Sequence, residues 1–299
     1  MTFPTMTDLF GDRLKRDVSL ARYTASRVGG AAEMLLMVNS ADDLAETVNT
    51  LWAHDLPFTI LGGGSNVLVS DTGVPGLTVL NKAKAFRFDK AAATLWAESG
   101  TNFGALARQA ARKGLSGLEW AAGVPGTIGG AVFGNAGAHD GDMAANLRVA
   151  DILHKEQGKQ TWNVQDFEFG YRTSALKRNP GAVVLTATLE LTPAEPETIQ
   201  AKMDQFLQHR RRTQPPGASM GSMFKNPPGD YAGRLIEQAG LKGLRIGDAQ
   251  ISELHANFFL NHGKATAQDI YQLIQHAQAE VETRFGVKLQ LEIELLGTF

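Results

Sequence analysis

A chain of 299 residues is long enough for roughly two domains of ~150 residues each, and 43% hydrophobic residues supply real cores rather than a disordered polymer. A formal charge of −2, a pI near 6.4 and the lack of a long basic run exclude a nucleic-acid or anionic-membrane surface as the main business. With no cysteine, disulfides, thiolate catalysis and cysteine-ligated metal sites are excluded too. The first residues, "MTFPTMTDLFGDRLKRD", carry charges where a signal peptide needs an apolar stretch, and no apolar run reaches the ~18 residues of a membrane span, so a cytoplasmic protein is expected.

In chain order, residues 41–54 place Leu44, Val48, Leu51 and Trp52 on one helical face, with Ser40 as the cap. Strand candidates lie around that helix at 34–38, 57–61, 66–69, 77–80 and 94–99. A second helix is expected over 102–113, with Phe103, Leu106, Ala107 and Ala110 on one stripe and a stop at Gly114. The glycine-dense stretch 114–141 shows neither helical nor strand periodicity. Strands resume at 148–155, 159–164 and 182–192; the last sets Leu185, Ala187, Leu189 and Leu191 against Thr186, Thr188 and Glu190, the pattern of a half-buried strand.

Two prolines among acidic and small residues at 192–197 read as a boundary. Beyond it a helix over 197–211 turns Ile199, Met203, Phe206 and Leu207 inward and ends in Arg210, Arg211 and Arg212. A helix near 230–239, a strand at 256–260, a helix over 267–284 carrying Ile270, Leu273, Ile274, Ala277 and Val281, and a strand through 287–296 complete the chain. The pattern is mixed α+β, a large N-terminal region and a smaller C-terminal domain of about 100 residues, with strands too often adjacent for an alternating βαβ array.

Five segments carry residue types suited to chemistry. "ILGGGSNVLVS" (60–70) places Gly62, Gly63 and Gly64, then Ser65 and Asn66, directly after a strand. Glycines allow close backbone approach to a ligand and inward-pointing N–H groups, so the loop reads as a phosphate cradle or as a tight turn. It lacks both the Gly-Lys-Ser/Thr ending of a P-loop and the helix that follows GxGxxG. "GVPGTIGGAVFGNAGAHDGD" (123–142) interleaves glycines with Val124, Ile128, Val132 and Phe133, a mixture that suits a large planar cofactor with a charged tail. "FGYRTSALK" (169–177) offers Arg172 as a planar fork for a carboxylate or phosphate, or as a plain surface arginine. "GSMFKNPPGDYAG" (221–233) is either a turn or a device that presents the Ser222 hydroxyl. "LQLEIELLG" (289–297) puts Glu292 and Glu294 on one face, as a solvent-facing side or a buried carboxyl with raised pKa. The seven histidines form no metal-ligand constellation and are taken as structural.

Together with "RYTASRVGG" (22–30) and "AGRLIEQAGLKGLRIGDAQIS" (232–252), these segments strongly resemble, in order, the UDP-N-acetylmuramate dehydrogenase (UDP-N-acetylenolpyruvoylglucosamine reductase) family of bacterial cell-wall synthesis. The resemblance covers nearly the whole chain from about residue 20 and looks like the family's compact branch. It implies an FAD-binding region of the vanillyl-alcohol-oxidase-like type, with two subdomains over 21–195, after an N-terminal extension over 1–20. A C-terminal α+β substrate-binding domain over 196–299 follows. NADPH would reduce the flavin, which would then reduce the enolpyruvyl group of the UDP-sugar.

The matching positions imply FAD contacts from Gly62, Gly63, Gly64, Ser65 and Asn66, and from Val124, Pro125, Gly126, Gly129, Gly130, Ala131, Asn135, Ala136 and Gly137. They imply Ser222 as proton donor, Arg172 and Glu292 as partners of the substrate carboxylate, and Tyr171, Lys225 and Asn226 as substrate contacts. No metal, nucleic acid or membrane partner is implied, and the oligomeric state is left open. Three departures stand out: Thr213 where some relatives carry a phosphate-binding lysine, Glu294 where an arginine is common, and Ser26 where an aromatic is frequent. The alternatives are another flavin oxidoreductase of the superfamily, with His139 as an attachment point, and a non-catalytic nucleotide-binding relative. "GSMFKNP" weighs against the first, and intact Arg172, Ser222 and Glu292 weigh against the second.

Overall fold

Strand Ala182–Glu190 has antiparallel neighbours on both edges, Leu147–His154 on one side and Thr94–Glu98 on the other. The computed structural model describes residues 5–299. In it this strand is the middle of a five-stranded sheet completed by Gly158–Asn163 and Phe86–Asp89 at the edges. The half-buried expectation is corrected here: Val183 to Ala187 are all buried, and Thr186 is only 5% exposed. A threonine fits on the second face because its hydroxyl donates to Asp151 Oδ2 at 2.8 Å across the ladder, which offsets its desolvation.

The chain folds into two compact units, each discontinuous in sequence. Unit 1 takes the chain up to Leu14, Leu36–Gly63 and Val79–His209; unit 2 takes Lys15–Leu35, Gly64–Thr78 and Arg210–Phe299. The sequence boundary near 195 therefore differs from the compact division. Helix Pro196–Thr213 starts as expected, but Ile199 and Met203 are buried in the core of unit 1. The expected N-terminal extension is likewise structured: Met6–Phe10 is a capped helix, and Lys15–Ser19 pairs antiparallel with Ala31 to Leu35 within unit 2.

Unit 1 packs helix Phe103–Arg112 through Phe103, Leu106, Ala107 and Ala110 into one core with Leu95, Ala187, Leu189 and Trp120. Asn102 caps it by accepting the Ala105 amide at 2.8 Å, and Gly114, at φ +71°, turns the chain away. Helix Ala41–Ala53 carries the expected Ser40 cap, whose hydroxyl accepts the Asp43 amide.

Unit 2 is organised by helix Ala267–Phe285, which buries Ala277 together with Ile270, Leu273, Ile274 and Val281, the last four worth about 1.5–3 kcal/mol each. Its N-terminus is doubly satisfied. Thr266 and Asp269 form a capping box, and Asp71 accepts the Ala267 and Gln268 amides at 2.8 and 2.9 Å.

Three further expectations are revised. The stretch 114–141 contains a helix, Ile128–Gly134, whose glycines hide it because each costs about 1 kcal/mol of helix propensity. Anchoring from outside compensates, since the Ile128 and Gly129 amides donate to Thr101 O and Ser99 O at 2.9 and 2.8 Å. The strand at 256–260 is shorter and later, Phe259–Asn261, because 252–258 closes into a turn. Of the expected strand 287–296, only Glu294–Leu296 is regular, and it runs parallel to Val67–Val69.

Glu98 is 6% exposed, and its two carboxylate oxygens accept the Ala41 and Ala85 amides, each at 2.8 Å. Glu98→Ala would strand two backbone donors. A loss of about 2–4 kcal/mol is expected, read from urea denaturation with unchanged slope.

Candidate active site

The two glycine-rich loops meet within unit 1. A Cβ placed on Gly62 would sit 2.6 Å from Thr127 Oγ1, and one on Gly63 would sit 2.8 Å from Gly126 Cα. Real Cβ atoms do not approach so closely, so a side chain at Gly63 needs a backbone shift and one at Gly62 needs the Thr127 side chain to move. Thr127 also caps helix Ile128–Gly134 through the Gly130 amide. Motifs more than sixty residues apart in the chain thus form one small-residue surface.

Asn135 ends the short helix in the left-handed region at φ +44° and is 4% exposed. Its amide nitrogen donates to Gly170 O at 3.0 Å and Asp142 Oδ2 at 3.2 Å, and its oxygen accepts the Ala144 amide at 3.0 Å. The side chain is thereby committed to holding three loops together. Ser174 adds a bond from its hydroxyl to Phe133 O at 2.7 Å.

These bonds fix the turn that carries Tyr171 and Arg172. Gly170 and Thr173 exchange backbone bonds at 3.1 and 3.2 Å, which leaves Tyr171 and Arg172 at the tip of a two-residue turn. Tyr171 is 54% exposed, and Arg172 lies over its ring at 5.4 Å while donating to Gly137 O at 2.8 Å. Arg172 takes φ +55°, a region that costs a non-glycine residue on the order of 1 kcal/mol.

In unit 2, Gly64 at φ +59° passes so close to the backbone that a Cβ would lie 1.9 Å from Tyr23 O, and the Ala25 amide donates to Gly64 O at 2.8 Å. Asn66 does not simply face outward: its side-chain amide donates to Glu292 O at 3.0 Å, and its carbonyl accepts the Glu294 amide at 2.9 Å. The first glycine loop therefore seats the segment that carries the half-buried Glu292 into strand Glu294–Leu296.

Ser222 sits on a segment bonded along both edges. On one edge the Met223 amide donates to Asn257 O at 2.8 Å and the Phe224 amide to Asn257 Oδ1 at 2.9 Å. On the other edge, Glu292 N donates to Met223 O and Lys225 N to Gln290 O, at 2.9 and 2.8 Å. Met223 and Phe224 are buried in the core of unit 2, so the segment is pinned from beneath as well. Gly221 meets nothing within 4 Å of an added Cβ but takes φ +82°; it is needed for its backbone angle. Asn226 Oδ1 accepts the Ala232 amide at 3.1 Å, tying the loop to helix Ala232–Gln238.

Two charges of unit 2 have distinct settings. Burial pulls the guanidinium of Arg210 below its ordinary pKa, marking a poorly solvated cation at the end of helix Pro196–Thr213. Hydrogen bonding from Arg234 and from the Tyr231 amide takes the half-buried Asp230 carboxyl down to about 2. Among the described residues, no group of three or more His, Asp or Glu could hold a metal, and no helix is long and apolar enough to cross a membrane.

Thr127 and Asn257 organise these surfaces but carry no local sequence signal; only their contacts reveal them. Ser26 already stands out in the sequence as a departure from the resemblance. It is 1% exposed, its hydroxyl has no partner among the described residues, and it follows the residue whose amide fastens Gly64. Within unit 1, a glycine surface whose Cβ positions are blocked by the opposing loop leaves only backbone for a ligand to meet, which fits a phosphate-bearing flavin.

Residues 32–162 match the family described as FAD binding domain, which makes the chain an FAD-binding oxidoreductase by class. Residues 212–296 match the UDP-N-acetylenolpyruvoylglucosamine reductase C-terminal domain. The chain is 44% identical over 284 residues to UDP-N-acetylenolpyruvoylglucosamine reductase of Rubrobacter xylanophilus, covering 95% of each protein. It is 43% identical over 288 residues to UDP-N-acetylenolpyruvoylglucosamine reductase 2 of Symbiobacterium thermophilum, covering 95% of this chain and 92% of the relative. The crystal structure of the reductase from Thermus caldophilus is similar at a TM-score of 0.83 and 38% identity, covering 95% of this chain and 99% of that one. The chain belongs to the UDP-N-acetylenolpyruvoylglucosamine reductase family, and its cofactor is FAD.

Replacing Gly62 or Gly63 with alanine should open the contact with Gly126 and Thr127 and lower the bound flavin-to-protein ratio several-fold. The ratio is read from visible absorbance after desalting; full flavin content in both variants would contradict the cradle.

Proposed function

We propose that the chain uses NADPH to reduce the enolpyruvyl ether of UDP-N-acetylenolpyruvoylglucosamine, giving UDP-N-acetylmuramate for peptidoglycan synthesis, with Ser222 supplying the proton. The observation that carries this reading is the Ser222 segment itself, bonded along both edges and one hydrogen bond away from the Glu292 backbone. When bound, FAD supplies the two-electron relay between NADPH and the sugar.

The protein's task is then to manage charge on the substrate. Reduction at the terminal vinyl carbon leaves negative charge on the neighbouring carbon and its carboxylate. Arg172, with a guanidinium suited to carboxylates, holds that group; its strained backbone fits a residue selected for where its side chain points. Glu292 shares the developing charge through its acid proton, and Ser222 delivers a proton to the carbon that bears the carboxylate. A serine hydroxyl is a weak acid, so it can act only against a strongly basic carbon in a site that excludes water. Lys225, three residues on, adds positive potential and with Tyr171 and Asn226 contacts the substrate.

Purified protein should be yellow and oxidise NADPH only when the enolpyruvyl UDP-sugar is present. Colourless protein, or turnover indifferent to that sugar, would refute the reading. Ser222→Ala should leave NADPH-driven bleaching of the flavin intact and abolish reduction of the sugar. Arg172→Gly should relieve the φ +55° strain and keep or raise stability by about 1 kcal/mol while lowering sugar reduction at least ~100-fold; a variant that remains active argues against the carboxylate role.

A further inference from the structure

Residues 252–258 have no part in the roles assigned above, yet they shape the edge against which the Ser222 segment lies. The Ser252 hydroxyl accepts the Leu254 and His255 amides at 3.1 and 3.3 Å, the Ser252 amide donates to Phe258 O at 2.9 Å, and Phe258 N donates to His255 O at 2.9 Å. Within this closed turn the His255 ring folds back, and Nδ1 accepts the Asn257 amide at 3.2 Å.

Asn257, 2% exposed, turns its carbonyl and both polar atoms of its side chain to the Ser222 segment. Its carbonyl accepts the Met223 amide at 2.8 Å, Oδ1 accepts the Phe224 amide at 2.9 Å, and Nδ2 donates to Phe224 O at 2.8 Å. One side chain thereby replaces a length of β-strand. Its neighbour Phe258 forms the bridge to Ser222 itself.

The ring that anchors Asn257 is in turn confined. It packs edge-on against Phe258, with centroids 4.9 Å apart, and against Gly233 of helix Ala232–Gln238, where an added Cβ would lie 3.0 Å from His255 Cε1. We propose that His255 and Asn257 are positioning residues for the proton-transfer step: the His255 ring fixes Asn257, and Asn257 fixes the backbone on either side of the peptide bond that follows Ser222–Met223. This inference rests on the reading of Ser222 as proton donor.

The arrangement requires an unprotonated Nδ1, since a protonated ring would turn a donor against the Asn257 N–H donor. Burial holds the His255 pKa below the ordinary imidazole value. Of the charged groups facing it, Lys242 pushes in the same direction and Glu237 opposes, and those two pair with each other at 2.7 Å. Because the folded-state pKa is depressed, the contribution to stability is present above about pH 6.5 and is lost as pH falls toward the folded value. Acidification should therefore loosen the Ser222 segment.

The test compares His255→Leu, Asn257→Ala and His255→Asn as flavin-loaded enzymes. His255→Leu keeps bulk but removes the acceptor, whereas the Oδ1 of an asparagine can take the place of Nδ1 and accept the same amide two residues on. In His255→Leu and Asn257→Ala, hydrogen exchange at the Met223 and Phe224 amides should rise ~10-fold or more, sugar reduction should fall ~10- to 100-fold, and flavin reduction by NADPH should be unchanged. His255→Asn should restore slow exchange and sugar reduction, and should lose the wild-type decline in both at mildly acidic pH. Unaltered exchange and turnover in the first two variants, equal loss of both half-reactions, or failure of His255→Asn to restore them would each overturn the proposal. Ser222→Ala separates the two ideas: if it still reduces the sugar, the proton-donor reading fails, whereas the exchange data test positioning on their own.

Discussion

The constraint on which the unit 1 glycine surface depends is the close approach of two loops. Gly63 lies on the Gly126 backbone and Gly62 on the Thr127 side chain, so a Cβ on Gly63 forces one loop off the other and a Cβ on Gly62 displaces the Thr127 hydroxyl that caps the next helix. The neighbouring features of that unit follow from keeping those loops in place. Thr127 caps the helix that begins there, the Ile128 and Gly129 amides anchor it to residues 99–101, and Asn135 stops it and passes the chain to the turn bearing Arg172. A surface built from backbone would offer a cofactor N–H groups and close approach, and the Thr127, Asn135 and Ser174 hydrogen bonds hold it in place.

Unit 2 solves a similar problem with carboxamides. Asn66 bonds to the Glu292 backbone, Asn226 to the Ala232 amide and Asn257 to both polar groups of Phe224. Each stands in for a missing strand or helix partner. Short irregular segments can thus bring Ser222 and Glu292 onto adjacent backbone without a long sheet, at the cost of burying amides that must find their exact complement. The same economy makes residues 252–258 sensitive to the protonation of one ring.

The capped and strongly periodic elements were legible in the sequence. Helices Ala41–Ala53 and Ala267–Phe285 follow from their apolar stripes, and Ser40 was readable as a cap. Helix Ile128–Gly134 was not, because its glycines oppose helix locally and only distant carbonyls stabilise it. Strand Ala182–Glu190 looked half-buried because Thr186 is polar; its partner Asp151 is 35 residues away and could not be read from alternation. The division near residue 195 drew on composition, whereas the discontinuous units arise from pairings such as that of Val67–Val69 with Glu294–Leu296. For the site, ordered motifs named the family and the glycine loops, while the work of Asn257 and His255, and the Asn66 bond to a residue 226 positions away, are visible only in three dimensions.

The most direct measurement is a single anaerobic mixing experiment. Protein whose flavin has been fully reduced, with excess NADPH removed, is mixed with the enolpyruvyl UDP-sugar while visible absorbance is followed. Yellow colour returning in one phase, with one reduced sugar formed per flavin, is the predicted result. Absorbance that stays bleached, or returns without reduced sugar, would contradict the assignment of this chain's chemistry.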